Sequence, residues 1–321
     1  MKNNYLNINE IISFINNKVK YNNYEFDEIS KNFNKYFLNL YKNYFKKYKN
    51  YDNNIIYKIR DYAILNGGKR LRPLLMFITS YCINDKNIKD LEPFMLSIEL
   101  IHTYSLIHDD LPCMDNDRIR RGKPSVWAKF GEDLGVLSGD AILTDAFKVI
   151  FDSKNNIKNK NKNIINKAYS LSEAASSLKL INGQVLDINN TYKNNFTSNK
   201  IIELYKNKTG ALFGCATEIA SLNVKNNIKF NNDMKHIGEM LGISFQIQDD
   251  ILEIYDKNLN KPKNSDIKNK KNTYVAKLGL DKSKNKIKQY KISIYELIDK
   301  YIKDKNKNVF YKEFIEYIIK Y

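Results

Sequence analysis

The chain has 321 residues, 43% of them hydrophobic, with 12 Gly and 5 Pro; this is enough apolar material for a large core, and the long stretches without helix breakers favour an all-helical architecture. A net charge of +17 raises nucleic acid, a membrane surface or an anionic substrate as partners, yet Lys and Asn are scattered through predicted loops, as in 155–162, and form no binding stripe. Cys82, Cys113 and Cys215 lack metal-ligand spacing and argue against a disulfide framework, which fits a reducing compartment such as the cytoplasm or a plastid-like organelle lumen; there is no apolar run of membrane-spanning length and no signal-peptide core.

The first ~25 residues are rich in Asn, Lys and Tyr and read as an N-terminal extension or the remnant of a leader. A single domain is expected over 26–321. Within 28–48, Ile29, Phe33, Tyr36, Phe37, Leu40, Tyr44 and Phe45 recur at helical spacing. A second helix is predicted over 53–65, ending at Gly67-Gly68. Pro73 suits the first turn of a helix to Tyr81, and Pro93 opens a strongly apolar helix to His108. Pro112 interrupts it. Helical patterns resume after Gly122-Lys123-Pro124, at 132–151, 164–188, 198–221 and 232–255. The stretch 257–272 reads as a charged loop and 282–319 as a terminal pair of helices. No period-two strand pattern or internal repeat is visible. The predicted fold class is all-α.

Two acidic clusters end two of these helices: Asp109, Asp110 and Asp115, and then Asp249, Asp250 and Glu253. Carboxylates this dense repel one another unless a cation joins them. Hard oxygen donors with no His or Cys set nearby point to Mg²⁺ rather than zinc, and Mg²⁺ held by few protein oxygens is usually shared with phosphate. On a helix, positions 249 and 253 differ by about 40° in azimuth and share a face, which Asp256 joins after a further step. Positions 109 and 115 lie about 240° apart on an unbroken helix. Pro112 breaks the ladder and permits Asp115 to fold back toward Asp109. Acids at a helix C-terminus oppose the macrodipole, so a positive partner is expected there.

Cations also cluster, in Gly67-Gly68-Lys69-Arg70-Leu71-Arg72-Pro73 and in Arg120-Arg121-Gly122-Lys123. Arg grips phosphate oxygens as a planar fork and Lys as a point charge. His102 shares a helix face with Asp109; on geometry alone it reads as a core histidine. Lys208-Thr209-Gly210 is open between a ligand site and close helix packing.

Taken in order, these motifs resemble the trans-isoprenyl diphosphate synthases, the family of farnesyl and geranylgeranyl diphosphate synthases. The likeness runs from roughly Ile55 to Leu280 and includes Gly183-Gln184…Asp187, Phe245-Gln246…Gln248-Asp249-Asp250 and Lys261…Asp266…Lys271-Asn272-Thr273-Tyr274. The step from Asp109 to Asp115 is similar to the bacterial and plant branch. The resemblance implies a helical isoprenoid-synthase bundle around a deep central cavity, a homodimer, and about three Mg²⁺ ions per site. It implies that Asp109, Asp110, Asp115, Asp249, Asp250 and Glu253 hold metal against an allylic diphosphate. Arg120, Lys208, Thr209, Gln246 and Lys261 would contact that diphosphate, and Lys69, Arg72, His102 and Arg121 would bind isopentenyl diphosphate. Asp109, Asp110, Asp249, Asp250 and Lys208 form the implied catalytic set. Metal and cation charge stabilise the departing diphosphate, and the double bond of isopentenyl diphosphate attacks the allylic cation before a proton is lost. No protein nucleophile is needed, and no Ser-His-Asp or Cys-His arrangement is present.

The product is expected to be farnesyl diphosphate, made from dimethylallyl or geranyl primers, with a geranylgeranyl or longer product as the alternative. Tyr104 lies five residues before Asp109, about 7.5 Å along the helix, where the family places an aromatic floor. It is about 140° from Asp109 in azimuth, and geometry alone favours Ser105; both remain candidates. Four positions depart from the family pattern: Glu253 for a usual Asp, Arg118 at an Asp-rich position, Trp127 at an often polar one, and Val275 for a usual Pro. A terpene cyclase would not need the second set of cations. A non-catalytic subunit of a heteromeric synthase would usually lose an acidic motif, and a nucleic-acid binder would show salt-dependent binding.

Overall fold

A computed structural model describes residues 6–22, 24–47, 54–152, 162–192, 196–224, 227–255 and 272–321. The chain forms two compact units, Met1–Phe77 with Asn87–Ala168, and Ile78–Lys86 with Tyr169–Tyr321. Among the described residues it is helical apart from two two-residue strands, as predicted.

The first unit holds α1 (Ile8–Lys20), α2 (Phe26–Phe45), α3 (Ile55–Leu65), most of α4 (Leu71–Cys82), α5 (Glu92–Asp109), α6 (Val126–Phe130), α7 (Glu132–Asp152) and the start of α8 (Lys162–Ala175). Helix α1 falls within the Asn/Lys-rich N-terminal stretch. Asn7 and Glu10 close a capping box, and Ile8, Ile11, Ile15 and Val19 are buried along one face. Helix α5 is apolar on nearly all sides, as a central helix must be, and it packs against α2, α3 and α7. Pro93 sits in its first turn, where no intrahelical N–H is required. Ser97 Oγ donates to the Ala146 carbonyl of α7 at 2.6 Å. After Pro112 the Asp115 amide donates to the Asp109 carbonyl at 2.9 Å, so the chain does fold back as expected.

The two strands were not predicted. Ile119–Arg120 pairs antiparallel with Lys123–Pro124. Arg121 (φ 53°) and Gly122 (φ 76°) form the turn, the mirror-image geometry that matches strand twist in two-residue hairpins.

The second unit contains the ends of α4 and α8, then α9 (Leu180–Tyr192), α10 (Ser198–Tyr205), a π-helical turn (Lys206–Gly210), α11 (Ala211–Leu222), α12 (Ile228–Tyr255), α13 (Tyr274–Leu278), α14 (Leu280–Tyr301) and α15 (Lys305–Ile318). Helix α12 packs against α11, α14 and the π turn. The single helix predicted over 164–188 is two helices. Ser176 breaks it: its side chain accepts the Leu178 amide at 3.2 Å, an alternative to the helical ladder. The helix predicted over 198–221 is interrupted by the π turn. Of the charged loop predicted over 257–272, only Asn272 lies within the described residues.

Candidate active site

In the first unit, two basic segments are joined. The Arg121 guanidinium donates to the Gly67 carbonyl and lies so close to Gly68 that a Cβ there would stand 2.6 Å from Arg121 Cζ. Glycine at 68, with φ 110°, is what admits this approach. Lys123 Nζ donates to Asn66 Oδ1 at 2.7 Å. Arg70 is buried, donating to Glu99 Oε1 at 2.7 Å and to the Ile64 carbonyl. Burial, with Arg121 adding and Glu99 opposing, lowers Arg72 to about 10. Burial first, then the charges of Arg72, Arg121, Arg70 and Arg120, hold His102 well below 6.5, so its imidazole is neutral at pH 7. Arg72, His102 and Arg121 thus share one cationic cluster, and Lys69, exposed, flanks it in the chain.

Asp110 is buried at the end of α5. Arg120 Nε donates to its Oδ1 and Oδ2 at 2.9 and 3.2 Å, and Nη2 adds a contact to Oδ1 and one to Asp117 Oδ2 at 3.4 Å. Burial raises the Asp110 carboxyl; Arg120 pulls it down, while Asp117 and Asp115 push it up. Two departures from the family pattern prove to be partners. The Arg118 guanidinium stands 4.9 Å over the Trp127 ring, and Trp127 Nε1 donates to the Asp117 carbonyl at 2.9 Å. Their cation–π contact ties Trp127 of α6 to the segment that leads into Arg120.

The two chain-length candidates differ. Tyr104 is buried, and its hydroxyl has no hydrogen-bond partner among the described residues. Burial and Asp109 push it up to about 12. Ser105 Oγ donates to the His102 carbonyl of its own helix at 2.9 Å.

In the second unit, α12 carries Gln246, Asp249, Asp250 and Glu253. Asp249 is exposed and Asp250 buried. Asp250 Oδ2 accepts the Tyr205 hydroxyl, and Gln246 Nε2 approaches Oδ1 at 3.4 Å. Gln246 Oε1 accepts Thr209 Oγ1 at 3.0 Å, and Lys208 Nζ donates to Asp187 Oδ2 at 2.6 Å. A Cβ at Gly183 would stand 2.3 Å from the Lys208 amide nitrogen; only glycine lets α9 approach the π turn closely enough for Asp187 to reach Lys208. Lys261 and Asp256 lie outside the described residues.

Sequence reasoning missed three side chains. Tyr205 accepts the Tyr274 amide at 3.1 Å while donating to Asp250, tying the acidic motif to α13. Nothing in its sequence context marks it. Glu99 and Arg70 form a buried pair. Their signal was present: an acid inside the apolar run Ser97–Ile101 requires a partner.

Among the described residues, no group of three or more acidic, His or Cys side chains is gathered closely enough to hold a metal ion by itself. The side chains that would serve as donors are carboxylates, and Mg²⁺ is commonly bound by one or two carboxylates completed by phosphate and water.

Residues 53–313 match the polyprenyl synthetase family. The farnesyl diphosphate synthase of Micrococcus luteus is 37% identical over 288 residues, covering 89% of this chain and 96% of its own. The FPP/GFPP synthase structure from Zymomonas mobilis aligns with a TM-score of 0.71 at 30% identity, over 82% of this chain and 87% of its own. The geranyltransferase of Helicobacter pylori, complexed with magnesium and isoprenyl diphosphate, aligns with a TM-score of 0.70 at 26% identity, over 86% and 95% of the two chains. This chain belongs to the polyprenyl synthetase family, the trans-isoprenyl diphosphate synthases, and is a prenyltransferase with their all-α fold.

Proposed function

We propose that the protein condenses isopentenyl diphosphate with dimethylallyl and geranyl diphosphate to give farnesyl diphosphate. One observation carries this reading: the Gly67–Arg72 loop and the Arg120–Lys123 hairpin are joined around Arg72, His102 and Arg121. That is a cationic site for a diphosphate, set apart from the Asp109 cluster along α5. An enzyme that ionises a single diphosphate has no use for it. The likeness to the Micrococcus luteus enzyme supports the same reaction.

In this reading Lys69, Arg72, His102 and Arg121 bind isopentenyl diphosphate. Because burial, reinforced by the arginines, keeps His102 neutral, it donates a ring N–H to a diphosphate oxygen without adding charge. Asp109, Asp110, Asp115, Asp249, Asp250 and Glu253 hold Mg²⁺, about three ions per site, which supplies positive charge against the departing diphosphate. Arg120, Lys208, Thr209, Gln246 and Lys261 orient the allylic diphosphate. Arg120 and Lys208 meet it already steered by Asp110 and Asp187, so little reorganisation is left for the moment of ionisation. Tyr104 is the floor that stops elongation, and its Ala variant is expected to release longer products.

Incubation with Mg²⁺, isopentenyl diphosphate and each allylic primer, with products identified by mass, tests the proposal. Condensation by the lone chain also excludes a non-catalytic subunit. No condensation with any primer overturns the reading; a geranylgeranyl or longer product corrects its length, an outcome that the FPP/GFPP relative keeps in view. We also propose a homodimer, checked by sedimentation equilibrium, and a cytoplasmic setting. The three free thiols support a reducing compartment, and the relatives above come from bacteria. No helix of the described residues is long and apolar enough to cross a membrane.

A further inference from the structure

We infer that the buried Glu99–Arg70 ion pair positions the Gly67–Arg72 loop and thereby sets the affinity for isopentenyl diphosphate without touching it. The inference rests on the binding role proposed above for Lys69, Arg72, His102 and Arg121.

Glu99 and Arg70 are 1% and 2% exposed, out of reach of a ligand in solution. They meet at 2.7 Å. A second arm of the guanidinium takes the Ile64 carbonyl, one of the carbonyls that the end of α3 leaves without a helical partner. Arg70 therefore straps three elements together: the end of α3, the start of α4 and the middle of α5.

The backbone shows what the strap holds. Arg70 has φ 49°, a left-handed conformation that is unfavourable for a non-glycine residue and persists only where its surroundings impose it. Lys69 precedes it and Arg72 follows two residues later. Releasing the Arg70 side chain would let its backbone relax and would turn both cations away from their present directions.

Charge explains why Glu99 comes with a partner. Arg121 repels Arg72 before any substrate arrives, Arg70 and Arg120 repel Arg121, and Glu99 attracts both Arg72 and Arg121. An unpaired carboxylate at that place would also repel a diphosphate. Paired with Arg70, whose own charge acts against Arg121 and His102, Glu99 belongs to a neutral unit that does not oppose the ligand, and what the pair contributes is position. Glu99 and His102 lie three residues apart on α5, so the anchor and a ligand of the cluster share one face of a rigid helix. Glu99 is thus a positioning residue, acting through Arg70.

Single removal of either charge would leave the other buried and alone, which commonly unfolds a protein. The decisive variant is therefore the double substitution Glu99→Leu with Arg70→Met, which replaces the pair with apolar groups. It is expected to fold, by circular dichroism and thermal unfolding, and to raise the KM for isopentenyl diphosphate at least about tenfold. The KM for the allylic primer and kcat should stay near wild type. Arg70→Lys, which keeps the charge but loses the second arm, should fall in between. A folded double variant with an unchanged KM for isopentenyl diphosphate overturns the inference. So does a loss shared equally by both substrates, which would indicate general loosening. Wild-type protein that condenses no primer sinks the proposed function instead, and the two failures are read in separate measurements.

Discussion

Asp110 and Asp250 are each the second residue of an Asp-Asp pair, and each is buried, but the two regions hold them differently. Asp110 sits where α5 ends and is gripped by the Arg120 guanidinium. Asp250 lies within the unbroken α12 and is held by the neutral Tyr205 hydroxyl and the Gln246 amide. A cation offsets the desolvation of a carboxylate directly. A neutral donor orients the carboxylate through a weaker hydrogen bond than a charged one makes. Removing a side-chain partner is therefore expected to cost more at Asp110, where the partner is a cation, than at Asp250, where the partner is a neutral hydroxyl.

The largest effect should come from Arg120→Ala. It leaves Asp110 buried without its cation, a loss of about 3–5 kcal/mol for such a pair, seen in thermal unfolding. It also removes a proposed diphosphate ligand, so kcat should fall on the order of 10²–10³-fold in steady-state assays. Tyr205→Phe should be milder. Stability should drop about 1 kcal/mol, the net value of one hydrogen bond. The Mg²⁺ concentration for half-maximal rate should rise roughly tenfold, as when the partner of a metal ligand is lost. The Tyr274 amide should also exchange its hydrogen faster, independently of activity. If Tyr205→Phe destabilised the protein as much as Arg120→Ala, the contrast between the regions would collapse.

A third test uses His102, which belongs to the first region alone. Its folded pKa lies below 6.5, so below pH 6.5 the unfolded chain binds a proton that the folded protein does not. Its contribution to stability is therefore lost as pH falls from about 6.5 toward the folded value, by at most about 1.4 kcal/mol per pH unit. Thermal unfolding of wild type and His102→Asn between about pH 7.5 and 5.5 should show a shallower acid slope in the variant. The smallest change is expected from Glu253→Asp. Mg²⁺ keeps water ligands that absorb a carboxylate displaced by one methylene, so its half-saturating concentration should stay within roughly threefold of wild type.

Legibility in the sequence followed the strength of local signals. Helix α5 was bounded within a residue at each end because Pro93, a long apolar run and Pro112 agree with one another. The fold-back of Asp115 was visible in that same proline. The hairpin at Arg120–Lys123 was not, because two-residue strands carry no period; Arg-Gly at its turn was the only hint. The break at Ser176 was hidden because serine is tolerated in helices, and whether its hydroxyl captures a nearby amide depends on surrounding packing. The site motifs were legible through their likeness to a family, since short charged runs alone are ambiguous. Tyr205 escaped because its role depends on α10, α12 and α13 meeting, which no local pattern records.

The π turn at Lys206–Gly210 has a consequence for how the chain tolerates change. Each π turn holds one residue more than α geometry needs. Deleting a single residue there would restore a continuous α-helix, and local helix stability would rise if anything. The residues before it would then rotate by about 100° relative to those after it. Tyr205 would swing away from Asp250, and α9 would lose its fit at Gly183. A deletion that improves the helix would thus dismantle the site, and length variation among sequences of this kind should be sparse at Lys206–Gly210 and freer at the Ser176 turn.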